Sequence, residues 1–338
     1  MKFLIVVACV CFVEVQANIR MGIISDYLYC GERELGWRIK IAAESLGWEV
    51  FLDETQGVKL QKIKNLDWVI CILPGNNNLH QDTYNYLTIF HPFNYLEKNG
   101  NLIPYYEKYD GYLLTIEKPK NFDYFFKKSK KKLFSIRFYP TTYDVVYKKA
   151  VLNNLVTMIP VWSDRLTDNK YKNLYTLLSQ SGFAKFYGIH ENTDIIKDGF
   201  MGQIPFDGIS VINILQQHGI VLIMHSAIHN QESIPSSRIF EAAAASCVII
   251  SDENPFVKKH FGDSVFYIDT SLSAEEIYAQ ISRYMDMIRS NPDRALEKAK
   301  QAHKIFIDNF LMADQLLRLE TMHQQVKQSG KPKIKTKK

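Results

Sequence analysis

The sequence has no cysteine framework. Its five cysteines, Cys9, Cys11, Cys30, Cys71 and Cys247, are odd in number and form neither a CxxC pair nor a Cys/His cluster. That argues against a disulfide-stapled scaffold and a structural zinc site, and for a reducing compartment. A membrane-spanning run is also missing. The apolar stretch from Phe3 to Val13 has eleven residues, where a helical span needs about 20. Lys2 before that stretch and Val15-Gln16-Ala17 after it have the layout of a cleavable leader, and the same letters suit a buried first strand. The expectation is a cytoplasmic protein, with export as the alternative. Gly31 and Gly36 do not complete a GxGxxG pattern, so a nicotinamide-dinucleotide reading loses its main support. No internal repeat is visible.

What is present is an ordinary globular composition, 46% hydrophobic and 23% charged. At 338 residues the chain is long enough for two domains of about 150 residues each. The net charge of +5 is local in origin, because residues 327–338 carry six lysines and the remainder sums to −1 (+5 − 6). This segment reads as a disordered basic tail, either a solvated end or an arm that touches an anionic membrane. The run KKSKKK at 127–132, after Tyr124-Phe125-Phe126, reads as an exposed loop.

Strand and helix patterns alternate along the chain. IRMGIISD (19–26) is an apolar strand; Leu35, Ile39, Ala42, Ala43 and Leu46 then recur at helical spacing up to Gly47, and WEVFLD resumes a strand. LDWVICILPG (66–75), YDGYLLTI (109–116) and KLFSIRFYP (132–140) supply further strands. Their continuous apolarity predicts a parallel sheet covered on both faces. A second series opens at NLVTMIPVWSD (154–164) and runs through FAKFYGI, GISVINILQQHGIVLIMHS and SVFYID (264–269). Pro255 starts a short helix that Gly262 closes, Ser273 and Glu276 form a capping box, and residues 292–326 are almost wholly helical. Two Rossmann-like domains follow, 1–153 and 154–326, with the tail at 327–338.

The most informative stretch is SIPSSRIFEAAAASCVIISD (233–252). Ser237 is the expected N-cap, which puts Arg238 in a first helical turn whose free N–H groups and positive dipole end suit an anion. Arg238 adds a forked donor for phosphate oxygens. Glu241 falls on the same helix face, where a carboxylate can accept hydrogen bonds from ribose hydroxyls. A capped surface helix whose Arg238 and Glu241 pair in solvent would carry the same letters. Upstream, His225 and Ser226 end a buried strand, where ligands gather in α/β sheets; His225 can donate to a diphosphate or move a proton. HSAIH, with His229, lacks a third ligand for zinc. In the loop after the first strand, Asp26, Glu32 and Glu34 are possible bases for an acceptor hydroxyl. Asp26 is preferred, and two of the three are expected to be solvated acids at a helix start.

With these residues in view, the chain resembles the GT-B glycosyltransferases, and residues 155–325 are similar to their group 1-type donor-binding domain. The likeness rests on PSSRIFEAAAASCVIISDENPF, FGDSVFYID, NPDRALEKAKQAHKIF and the preceding FMGQIPFDGISVINILQQHGIVLIMHS. It implies an α/β fold of two Rossmann-like domains facing a cleft, with a last helix that crosses back to the first domain. The implied activity is metal-independent transfer of a hexose from a sugar nucleotide to a hydroxyl on a glycan, lipid or protein acceptor. No cofactor and no nucleic acid partner are implied. Ser236, Ser237 and Arg238 would meet the diphosphate and Glu241 the ribose. Met201, Gly202, Gln203 and Ile204 would flank the base, Arg165 would be a further phosphate contact, and Ser226 would line the donor site. Many retaining members place two glutamates with seven residues between them; Glu232 and Glu241 have eight. A sugar-nucleotide epimerase of this architecture and a non-catalytic nucleotide-sugar-binding protein are the alternative readings.

Overall fold

The computed structural model describes residues 19–25, 31–74, 78–90, 106–115, 134–159, 165, 167–188, 195–196 and 198–330. The leader-like segment 1–17, Asp26, the lysine run 127–132 and residues 331–338 lie outside them.

The first domain is built on β1 (Arg20–Ile24), α1 (Gly31–Ser45), β2 (Glu49–Asp53), β3 (Trp68–Cys71), β4 (Tyr84–Ile89), β5 (Gly111–Leu114) and β6 (Ser135–Arg137). The six strands are parallel and ordered β2-β1-β3-β4-β5-β6, with Ile24 opposite both Asp53 and Cys71. Alternate residues of β3 bury on opposite faces: Trp68 and Ile70 in one apolar layer, Val69 and Cys71 in the other. Covering both faces explains why these strands read as unbroken apolar runs.

The second domain comprises β7 (Asn154–Met158), α2 (Asn169–Gln180), β8 (Ala184–Tyr187), α3 (Ser210–His218), β9 (Gly219–Ile223), α4 (Ala227–Gln231) and α5 (Ser237–Ala244). It continues with β10 (Val248–Asp252), α6 (Pro255–Phe261), β11 (Phe266–Ile268), α7 (Ala274–Ser290) and α8 (Pro292–Asn309). Its parallel sheet runs β11-β10-β9-β7-β8. Both sheets therefore reverse direction beside their first strand, at β1/β3 and at β7/β9, and each reversal opens a crevice at the strand C-termini. Gly219 begins β9 at φ +81°, with the position of an added Cβ 1.9 Å from the Val151 carbonyl oxygen, so only glycine fits where β9 passes the inter-domain linker.

Helix α9 (Met312–Gln328) returns to the first domain. Met312, Leu316, Leu319, Met322 and Val326 recur at three- and four-residue intervals and bury in the same apolar layer as Ile23, Trp68 and Leu113. The two segments that pass between domains are bonded to each other. Gln315 accepts from the Tyr139 N–H at 2.6 Å and donates to the Tyr139 carbonyl at 3.3 Å, Thr141 donates to the Phe310 carbonyl at 2.7 Å, and the Met312 N–H donates to the Thr142 carbonyl at 3.0 Å.

Several sequence expectations need adjustment. Strand β4 is central in the first sheet although it is not among the strands expected from the sequence. The N-cap of α5 is Ser236, whose Oγ accepts from the Arg238 N–H, so Ser237 is the first helical residue. Lys327 and Gln328, assigned to the tail, are the end of α9. Among the described residues Cys71 and Cys247 are free and buried, and burial pushes both thiols up. No helix among those residues is long and apolar enough to cross a membrane.

Candidate functional site

A cleft of about 310 Å³ lies between the domains, where the C-terminal ends of β7 and β9 face the start of α1. Its size suits a small organic ligand, for which pockets run from about 300 Å³ upward. The sheet reversal at β7/β9 contributes Met158, Met224, His225 and Ser226, the start of α5 contributes Ser236, Ser237, Arg238 and Glu241, and α1 contributes Glu34 and Arg38.

The cationic end is made by Arg165 and Arg238. Arg165 is buried and donates to the Met224 carbonyl. Arg238 is half-buried, and its guanidinium makes no hydrogen bond or ion pair to any described residue. Its pKa is pushed down to about 10, first by desolvation and then by the positive charge of Arg165, against the pull of Glu241. Two guanidinium groups that repel each other beside the free N–H groups of a helix start form a site for a polyanion.

The histidine lies at the next strand end. The His225 ring Nδ1 is 2.7 Å from Asp252 Oδ1, and the His225 N–H donates to Asp252 Oδ2 at 2.8 Å, as does Asn230 at 2.9 Å. Burial raises the Asp252 pKa, but the hydrogen bond and charge of His225 outweigh it and hold the carboxyl below its ordinary value. A ring that donates from Nδ1 to Asp252 has Nε2 left as its acceptor. Nε2 is buried and has no partner among the described residues. Ser226 caps α4 and bonds the His229 ring at 2.5 Å, so it faces the cleft with its hydroxyl engaged.

The opposite wall shows what sequence reasoning missed. Glu241 does not stand in solvent with Arg238. It is 4% exposed and accepts from Arg38 Nη2 of the first domain at 2.5 Å. Glu34 is likewise buried rather than a solvated helix-start acid. It accepts from Arg38 Nε at 3.3 Å and from the Gly208 N–H of the second domain at 3.0 Å. Burial raises the Glu34 pKa, with Arg38 and the Gly208 N–H opposing. Arg38 is 1% exposed, and the two carboxylates raise its pKa against the effect of burial. One signal for it was legible: Arg38 falls at helical spacing with Leu35 and Ala42, on the side of α1 that carries its apolar residues.

Of the residues expected at the base, Gln203 and Ile204 line the cleft. Met201 and Gly202 do not. The Met201 N–H bonds the Phe186 carbonyl and the Gly202 carbonyl accepts from Gly188, edge-strand pairing that leaves the Met201 side chain 51% exposed. Glu232 ends α4 and is also not on the cleft wall. Among the described residues no three His, Cys, Asp or Glu side chains are grouped to hold a metal ion.

Residues 189–321 match the sequence profile of the glycosyl transferase-like family. No curated protein sequence matches the chain. Among solved structures, a glycosyltransferase from Rickettsia africae aligns with TM-score 0.54 at 14% identity, covering 91% of this chain and 98% of its own. A DNA-modifying β-glucosyltransferase, solved with and without uridine diphosphoglucose, aligns with TM-score 0.54 at 13% identity over 90% and 100%. TarM from S. aureus, in complex with fondaparinux, α-GlcNAc-glycerol and UDP, gives TM-score 0.52 at 12% identity over 76% of this chain and 55% of its own. This chain thus spans little more than half the length of TarM. Two doubly wound domains with a crossing last helix are the GT-B fold, and the chain is a member of that fold class.

Proposed function

We propose that the protein is a glycosyltransferase that moves a hexose from a nucleoside diphosphate to a hydroxyl acceptor. The observation that carries this reading is the partnerless Arg238 beside Arg165 at the start of α5, in a cleft faced by both domains. The arginines and the α5 N–H groups would hold the diphosphate, Glu241 the ribose, and Gln203 and Ile204 the base. TarM with bound UDP and the β-glucosyltransferase with its UDP-sugar support a donor of this class.

In the reaction, the bond from the sugar C1 to the diphosphate oxygen breaks and the electron pair leaves with the diphosphate. The acceptor oxygen bonds to C1 and gives up its proton. Charge develops on the departing oxygens, where Arg165, Arg238 and the helix end are already aimed, so their binding strengthens toward the transition state. This supplies the stabilisation that a metal would otherwise provide. His225 Nε2 is the described group suited to take the acceptor proton, and Asp252 stabilises the imidazolium that results. Asp26, which follows β1 in the sequence, is the other base we propose. A cytoplasmic setting and a basic tail resting on anionic membrane belong to the same proposal.

The test is incubation of the protein with a panel of sugar nucleotides, measuring nucleoside diphosphate release with and without glycan, lipid and protein acceptors. Release that requires an acceptor supports transfer. A changed sugar nucleotide without acceptor would make the protein an epimerase, and binding without turnover would make it a sensor; either result overturns the transferase reading.

A further inference from the structure

Arg38 belongs to the first domain, on the acceptor side of the cleft, yet its bonds go to the donor side. It lies on the buried face of α1 beside Glu34, is 1% exposed, and reaches across to Glu241 Oε1 at 2.5 Å while its Nε bonds Glu34 at 3.3 Å. A buried arginine costs free energy to desolvate, so its place on this core-facing side of α1 calls for a role that an apolar residue would not fill. The second contact from the same helix is equally specific. Glu34 accepts the Gly208 N–H at 3.0 Å, in the loop that continues from Gln203 and Ile204. Gly208 has φ +81°, and an added Cβ would meet Ile41 Cδ1 at 2.9 Å and Trp37 Cβ at 3.1 Å, so the loop rests directly on α1. One turn of α1 therefore touches the two second-domain elements that the proposed function assigns to the nucleoside: the carboxylate for the ribose and the loop for the base. Arg38 Nη1 remains buried without a hydrogen-bond partner, a donor left over where a bound ligand or a shift of Glu241 would satisfy it.

We propose that Arg38 is a positioning residue for the ribose of the donor: it holds the Glu241 carboxylate by one oxygen and leaves the other to accept from a ribose hydroxyl. Recognition of the nucleoside is then completed only when the first domain is seated on the second. The fork of the guanidinium is what permits this. It bonds Glu34 and Glu241 together, which a lysine ammonium at the same place cannot do in one plane. The inference rests on the donor reading above.

The test compares binding of the tightest of UDP, GDP, ADP and CDP with its 2′,3′-dideoxy analogue by titration calorimetry, with inorganic pyrophosphate as the control. The wild-type protein is expected to prefer the ribose form by roughly tenfold or more, the range for hydrogen bonds to a charged group. Glu241→Gln and Arg38→Ala are both expected to bring that ratio near one while pyrophosphate affinity changes by no more than about twofold. Arg38→Lys, which keeps the charge if alanine is not tolerated, is expected to recover only part of the preference. A residue that merely stabilises the fold would weaken both nucleotides alike. If Glu241→Gln loses the preference and Arg38→Ala and Arg38→Lys keep it in full, the inference is overturned and the donor site stands. If the wild-type protein binds none of the four nucleotides, the donor reading itself falls.

Discussion

Replacing Arg238 by methionine should make the ligand-free protein more stable and a poorer binder at the same time. In the fold its pKa drops from 12.5 to about 10, which corresponds to about 3 kcal/mol of unfavourable interaction with the charged form. Solvent contact of the half-buried side chain reduces the share that is recoverable. The direction follows from the sign of the shift: a cation whose folded pKa is lowered carries its full cost below pH 10, and sheds it only as pH climbs from 10 toward 12.5. At neutral pH, methionine keeps the apolar packing of the stem and removes the cost, so the variant should melt a few degrees above the wild type. The phosphate contact moves the other way. Loss of a charged hydrogen bond costs about 1.5–3 kcal/mol, or roughly 10- to 150-fold in affinity. In UDP or inorganic pyrophosphate at 100 times the wild-type Kd, the wild type gains about 2.7 kcal/mol from the ligand, and a variant weakened about 30-fold gains only about 0.9 kcal/mol. Thermal unfolding followed by fluorescence should therefore show two curves that lie apart without ligand and converge with it. An Arg238→Met protein that melts below the wild type without ligand and shifts equally with it would refute the reasoning and return α5 to a plain structural helix.

Three further outcomes are expected. Asp252→Ala should lower stability by about 3 kcal/mol, because it leaves His225 and Asn230 without the buried carboxylate they donate to, and should slow turnover through loss of the His225 orientation; denaturant titration and single-turnover kinetics read the two effects. His323, buried against Trp68 and bonded to Tyr86 at 2.7 Å, has its pKa lowered to about 4, mainly by burial. Its contribution is complete above pH 6.5 and is lost as pH falls toward 4, up to about 3 kcal/mol; His323→Gln should flatten the pH dependence of unfolding over that window. Gln315→Leu removes the bond from the buried Tyr139 N–H to the Gln315 side chain, at about 1–3 kcal/mol, and hydrogen exchange should show α9 opening ahead of the sheets.

Much of this architecture was legible, for local reasons. The βαβ start, the capping box at Ser273 and Glu276 and the helix from Pro255 capped by Asn254 are short-range chemistry that a sequence displays directly. Strand β4 was missed although Tyr84, Tyr86, Thr88 and Ile89 favour strands, because Asn85 and the polar residues before it break the apolar run. In the fold the Asn85 amide pairs with the backbone of His80, and the Thr88 hydroxyl with Ile72, so both are buried and satisfied. The anion site was readable because cap, arginine and glutamate lie within six residues. Its other wall was not. Arg38 and Glu241 are 203 positions apart, and no periodicity announces a bond across two domains. Asp252 was hidden in the same way, as the last letter of an apolar strand whose partner ends a different one.

Helix α9 sets a timetable for synthesis. The first domain's sheet is finished by residue 137, but the apolar layer over Ile23, Trp68 and Leu113 is closed by Met312, Leu316, Leu319 and Met322. Translation at about 5–20 residues per second leaves that face uncovered for roughly 10–35 s while the second domain is being made. The domain that is born first is thus the last to be completed. A ribosome stalled anywhere between the two holds an exposed apolar surface that a chaperone would have to shield.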